Sequence, residues 1–500
     1  MVFNQVLVAG KALYAHERKL WIEVRREKTR DIRARRAFLT LWHHKIPRKK
    51  GEAFMSIRNA SVTRVVCILI SVVLLLGVVT GCGTKTASRS KDAEKSVETV
   101  KPEDLKGEIS LWAWGTWEKD GAVDFNKHYP NIKVNYVIIP DTEYPKKVQM
   151  TVASGGDLPD IVLFEIKPRG RLIAIDAWER LDAPPYNFNK NDLVPFAIPL
   201  MQNPKGEIVC IQGDNDVGGY IYNRPLAKRY FGTDDPSEME KIFTSWDVYI
   251  EKGKEIVQKS QGKSFLFSGA DDAFYALIGL YTKEPFVVNS KITLDTTVLP
   301  TFKVIEQLIK DKSVGKYLQW SPSWNASFAS NTIVFYPAAS WFVPFVVKPN
   351  DKNAKGKYGL ISPPGGGFSW GGTGYAIPKT CKNKTLAWAW IKWWCLSEEG
   401  TRALVKTHGI PSLYKASYDT DIYISDENKD PFFAGQNVLA KLLEISKNAN
   451  TQARPITAYD SLVMDACATI LRQMEQGMSA NEAYGKLKDE LIKQAPELTK

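Results

Sequence analysis

The sequence predicts an α/β protein whose mature part divides into two lobes around a central cleft. Short β-rich runs alternate with longer helical patterns from about residue 104 onward, an alternation that builds helix-covered, largely parallel sheets. The 419 residues beyond position 81 exceed the roughly 250 to 300 at which a single core stops growing, so two cores with one cleft between them are expected. No internal repeat or sustained heptad run competes with this reading.

The chain begins with a basic stretch and a leader. Residues 1–81 carry 16 Lys+Arg against 5 Asp+Glu, whereas the remainder carries 51 against 50. The basic balance of the whole chain, +12, therefore does not describe the mature part, and a nucleic-acid partner is not expected. Met55 opens a normal leader, so residues 1–54 are read as an upstream misread start, with a basic amphipathic arm as the competing reading. In "TRVVCILISVVLLLGVVTGCGTKTASRSKD" (63–92), the uncharged run Val65 to Val79 follows Arg58 and Arg64 and closes on Val79-Thr80-Gly81-Cys82. This describes a signal segment (55–81), although Val65 to Thr84 also has the length of a spanning helix. The turn ending in Cys82 resembles the lipobox of bacterial lipoproteins, which implies a multiply acylated Cys82 holding the chain on the membrane. Residues 82–103, rich in Ser, Thr, Lys and Asp, then suit a flexible tether.

Beyond the tether, "GEISLWAW" (107–114) reads as a strand and "EKDGAVDFNKHYP" as a helix ending before Pro130. "IKVNYVIIP" is the next strand, "DTEYPKKVQMTVASG" the next helix, and "DIVLFEI" a buried strand after the turn "GGDLP". Further on, "TLAWAWIKWWCL" places Trp388, Trp390, Trp393 and Trp394 in a segment apolar on all sides, which predicts a buried helix. Cys210, Cys381, Cys395 and Cys467 form no CxxC pair or Cys/His cluster, so no zinc site or other metal site is expected. A disulfide between Cys381 and Cys395 is left open.

Four blocks carry a family resemblance. "FNKHYPNIKV" (125–134), "ASGGDLPDIVLFE" (153–165), "GGTGYAIPKTCKNKTLAWAWIKWW" (371–394) followed by "LSEEG", and "HGIPS" (408–412) resemble the recurring blocks of the family 1 extracellular solute-binding proteins. These are the sugar-capturing lipoproteins or periplasmic proteins of ABC importers, the maltodextrin-binding protein among them. The resemblance runs over nearly all of 104–500. It implies a periplasmic-binding-protein-like fold of discontinuous lobes, 104–220 with 358–407 and 221–357 with 408–500, joined by crossovers around a hinged central cleft. It also implies a carbohydrate ligand, permease subunits as partners, no cofactor and no catalysis.

A sugar ring offers an apolar face and a rim of hydroxyls, so its site needs flat aromatics beside Asp, Glu, Asn, Arg or Lys. Trp114 and Trp117 close the first strand, next to Glu118 and Asp120, and Trp324 sits with Trp320 on a Pro/Ser loop. Glu143, Glu165 and Lys167 lie at strand exits, where open α/β sheets bind ligands. Phe274 is a further aromatic candidate. By the resemblance, Trp341 follows a small-residue turn and stacks on sugar, Asp216 precedes the first crossover, and Tyr459 comes to the cleft from the C-terminal segment. For each aromatic the alternative is core packing, and for each acid a solvated face or helix cap.

Two motif matches fail. "DNDVGG" (214–219) begins like a calcium loop, but Gly218 and Pro225 stand where ligands five and twelve belong. "GFSWG" (367–371) fits the nucleophile elbow of hydrolases, yet the residues after it are poor helix material. The rivals to sugar capture are a surface glycosidase, a binding protein of the same fold for a peptide or polyamine, and an adhesin.

Overall fold

The computed structural model describes residues 101–281, 284–448 and 453–500, all of which belong to the unit Lys91–Lys500. The leader, Cys82 and the tether up to residue 100 lie outside the described residues. Two sheets organise the chain. The first has the order β2-β1-β3-β12-β4, from β1 (Gly107–Ala113), β2 (Ile132–Ile138), β3 (Ile161–Glu165), β4 (Ile211–Gln212) and β12 (Thr373–Ala376). β1 pairs in parallel with β2 and β3, while β12 runs antiparallel to β3 and β4. The alternation expected of β1 is present, with Ile109, Leu111 and Ala113 buried. The central β3 is apolar on both faces, and Ile161 to Phe164 are all buried.

The second sheet has the order β10-β5-β9-β6, with β11 also on β5. Its strands are β5 (Val217–Asn223), β6 (Phe265–Phe267), β9 (Ile333–Ala339), β10 (Tyr358–Ile361) and β11 (Phe368–Ser369), and a separate hairpin joins β7 (Val287–Val288) to β8 (Lys291–Ile292). Here only β6 and β9 are parallel, so the expectation of largely parallel sheets holds for three strands of the first sheet and fails for the second. The reason is connectivity: the chain enters the second sheet by direct extended crossings, which need no right-handed helical crossover. Pairing also places Val217–Asn223 whole, together with Tyr358–Ile361 and Phe368–Ser369, in the second sheet. That differs from the division expected at 220 and 358.

The crossings are stitched to one another. Asn215 N–H donates to Pro411 O (2.7 Å), Leu413 N–H to Gly213 O (2.8 Å) and Trp370 N–H to Asp216 O (3.1 Å). The three segments therefore run side by side where the chain passes between sheets.

The tryptophan-rich segment forms the helix Lys384–Leu396, and all four of its Trp side chains are buried, as expected from its uniform apolarity. The helix expected before Pro130 is broken into Trp117–Gly121, a 3₁₀ turn and Phe125–His128. At Gly121 a Cβ would meet the Trp394 ring at 2.4 Å, so this helix presses onto the tryptophan helix beneath it. Cys381 and Cys395 are both buried and free, so the disulfide left open from the sequence does not form.

Candidate ligand-binding cleft

The strands end at a cavity of about 1030 Å³, bordered by residues of both sheets and of the crossings. On the first-sheet side, Trp114 and Trp117 follow β1 directly. Trp114 packs edge-on against Tyr144 at 5.2 Å between centroids. Trp117 lies flat on the His408 ring, at 4.0 Å and 15°. His408 Nε2 sits 3.2 Å from Trp117 O, and burial lowers the pKa of this imidazole. Phe345, reaching over from the segment after β9, closes on Trp117 at 5.3 Å and so bridges the two walls.

One residue beyond Trp117 the same helix turns Glu118 inward, and only 3% of it is exposed. Tyr375 OH donates to Glu118 Oε1 (3.1 Å), and Trp394 Nε1–H donates in turn to the Tyr375 oxygen (2.9 Å). Burial, chiefly, pushes the Glu118 carboxyl up to about 7. Glu165 ends β3 and caps the helix Ile166–Ile173 by accepting the Lys167 N–H at 2.9 Å, and burial raises its pKa too.

The crossings supply the floor. Asp214 accepts the Thr373 N–H with both carboxylate oxygens, at 3.1 and 3.2 Å. Asp216 is 1% exposed; Ser340 Oγ donates to its Oδ1 at 3.1 Å, and its Oδ2 has no hydrogen-bond partner. Burial and the adjacent Asp214 carboxylate hold the proton on Asp216 far above the usual range. Beneath them, fully buried Arg169 donates to Phe164 O, Gly372 O and Gln212 Oε1, and Gln212 Nε2–H donates on to Asp214 O (3.0 Å). Gly372 has φ +100°, and a Cβ there would stand 2.4 Å from Gln212 Nε2, so the floor requires glycine.

The opposite wall is aromatic. Trp341 Nε1–H donates to Trp370 O (2.7 Å), and Trp320 lies near-parallel to Trp341 at 6.2 Å. Tyr275 stacks on Trp370 at 4.9 Å and 20°. At the far end Arg454 pairs with Asp460 and lies 3.5 Å over the Phe286 ring.

A model of the bacterial extracellular solute-binding protein family matches residues 122–431. The chain belongs to that family. Among relatives of this solute-binding protein, an arabinooligosaccharide-binding protein of Bacillus subtilis is 24% identical over 381 residues, covering 71% of this chain and 84% of the relative. One from Halalkalibacterium halodurans is 22% identical, covering 70% and 81%. Among solved structures, a family 1 extracellular solute-binding protein has a TM-score of 0.70 at 20% identity, covering 77% of this chain and 99% of that one. The galacto-N-biose-/lacto-N-biose I-binding protein of Bifidobacterium longum, in complex with lacto-N-biose, has a TM-score of 0.64 at 18% identity, covering 79% and 99%. The solute-binding protein therefore has the two-lobed α/β fold of the periplasmic sugar-binding proteins.

Of the residues singled out in the sequence, Trp114, Trp117, Glu165, Asp216 and Trp341 line the cavity of the solute-binding protein, as do Lys167 and Trp320. Four lie elsewhere. Glu143 is exposed at the start of the helix Tyr144–Ala153. Phe274 is 2% exposed because the helix Ala270–Tyr281 turns it into the core beside Phe302, while Tyr275, one position on, reaches the cavity. Trp324 is fully buried against Phe328 and Phe342, while Trp320 keeps 51% of its surface exposed. Tyr459 turns away, its OH donating to Glu497 at 3.0 Å, and the neighbouring Asp460 faces the cavity instead.

Sequence reasoning missed Tyr275, Trp370 and Arg454 as lining residues. Trp370 sat in the rejected elbow match, where β11 leads through a glycine loop into β12 and no helix follows.

Proposed function

We propose that this protein captures a carbohydrate, an oligosaccharide, between its lobes and passes it unchanged to the permease of an ABC importer. The observation that carries the proposal is the composition of the two walls. Trp114 and Trp117 stand on one side and Trp341 and Trp370 on the other, with buried carboxylates along the floor. Flat faces for sugar rings and acceptors for their hydroxyls are thus offered from both lobes, the condition for a ligand to favour the closed arrangement. The cavity stands at the top of the roughly 300–1,000 Å³ range of small-molecule pockets, room for more than one sugar unit. The arabinooligosaccharide-binding relatives support the same substrate class. Acylation of Cys82 would keep the loaded protein near its membrane partner on the outer face, raising its effective concentration there.

Calorimetry of the purified protein against mono- and oligosaccharides, with product analysis of the same samples, tests the proposal. Saturable binding with the sugar recovered intact is expected. Cleaved sugar would turn the assignment to a glycosidase. For the anchor, Cys82→Ser is expected to release the protein from membranes into the medium, and continued membrane retention would refute acylation at that residue.

A further inference from the structure

The charge of the lining is lopsided. Lys167, Arg454 and His408 are the basic residues along the cavity; Lys167 is engaged with Asp465 at 2.8 Å, Arg454 with Asp460, and burial favours the neutral form of His408. Five other lining carboxylates, on Glu118, Asp120, Glu165, Asp214 and Asp216, have no Lys or Arg within ion-pair distance among the described residues. Arg169, directly below, eases Glu165 and Asp216 through its charge but pairs with neither. Its guanidinium is spent on two carbonyls and Gln212, and it reaches Asp214 only through the Gln212 amide.

The deepest of these acids is also incompletely satisfied. Asp216 is almost wholly buried, it lines the cavity, and one of its oxygens has no donor. A buried carboxylate with no paired cation is costly and the adjacent Asp214 adds to that cost, so Asp216 keeps its proton, which a cation bound beside it would displace. Sugar hydroxyls bring one donor each and no charge. An ammonium brings three donors and a positive charge that can take the place of the Asp216 proton. The surrounding rings suit the same group. Asp216 O accepts the Trp370 N–H, and Ser340, the donor to its carboxylate, immediately precedes Trp341, so the free oxygen and two indoles are held together by hydrogen bonds between three neighbouring segments. Indole faces attract cations, most strongly where water is excluded.

We propose that the preferred ligand is a saccharide carrying a protonated amine, an amino-sugar unit whose ammonium docks at Asp214 and Asp216 while its rings lie against Trp341 and Trp370. This rests on the sugar-capture reading and narrows its substrate class.

The test compares glucosamine disaccharide and trisaccharide with their N-acetylated forms, a neutral arabinose trisaccharide and spermidine, each titrated into the purified full-length protein. Amine-bearing sugars are expected to bind about tenfold or more tightly than the acetylated forms, the scale of a hydrogen bond to a charged group. In Asp216→Asn that ratio is expected to fall to about one, and it is read as a ratio between ligands within one protein sample. Equal binding of charged and neutral sugars would overturn this inference and leave oligosaccharide capture standing. Spermidine binding with no saccharide binding would overturn both. A ratio that persists in Asp216→Asn would overturn the assignment of the ammonium to this pair.

Discussion

Replacing Glu118 by glutamine changes one atom type at a site where burial is nearly complete and the main partner is a donor. Tyr375 OH can keep donating to the amide oxygen, so the perturbation isolates charge. The carboxyl has an ordinary value of 4.5 and stands at about 7 in the folded protein. Between those values the folded chain retains a proton that the unfolded chain has released, so stability falls as pH rises through this window. The interval is about 2.5 pH units and each is worth about 1.4 kcal/mol, so the wild-type protein loses about 3 kcal/mol at this residue between pH 4 and pH 8. Glutamine does not titrate. The stability of Glu118→Gln relative to wild type is therefore expected to rise by about 3 kcal/mol across that range, the variant gaining at the alkaline end. Urea unfolding at pH 4, 6 and 8 measures it, and subtracting the wild-type curve removes every carboxylate common to the two proteins. A difference that stays flat with pH, or one that moves against the variant, would refute the claim that burial governs this carboxyl.

Three further substitutions separate the cleft from the core. Trp341→Ala removes a ring from the aromatic wall and is expected to weaken oligosaccharide binding by about thirtyfold or more in calorimetry, the loss typical of an aromatic anchor. Trp324→Ala, in a side chain fully buried against Phe328 and Phe342, is expected to cost about 3–5 kcal/mol in denaturant unfolding. Tyr459→Phe removes only a hydroxyl directed at Glu497, and ligand affinity is expected to change by less than about twofold; a larger loss would return Tyr459 to the cleft.

The sequence by itself determined the α/β class, the strand that ends at Trp114 and Trp117, and the burial of the tryptophan helix. Each of these follows from local pattern. A strand alternates with period two, and a segment apolar on all faces has no side to give to water. Glu165 and Lys167 were legible for a related reason, since a strand exit in an open sheet faces the ligand crevice.

Only the tertiary structure decided which neighbour of a pair enters the cleft. Phe274 and Tyr275 are adjacent and both aromatic, and about 100° of helical rotation separates them, so packing against Phe302 settles which one is core. Trp320 and Trp324 divide in the same way, the short helix Pro322–Ser327 carrying Trp324 inward. The acidic floor is the clearest case. Glu118, Asp214 and Asp216 come from two distant segments, and the residues that hold them come from two more, Thr373 and Tyr375 from β12 and Ser340 from the end of β9. Sequence spacing carries no record of that convergence, because it is made by crossings between sheets and by the burial those crossings impose.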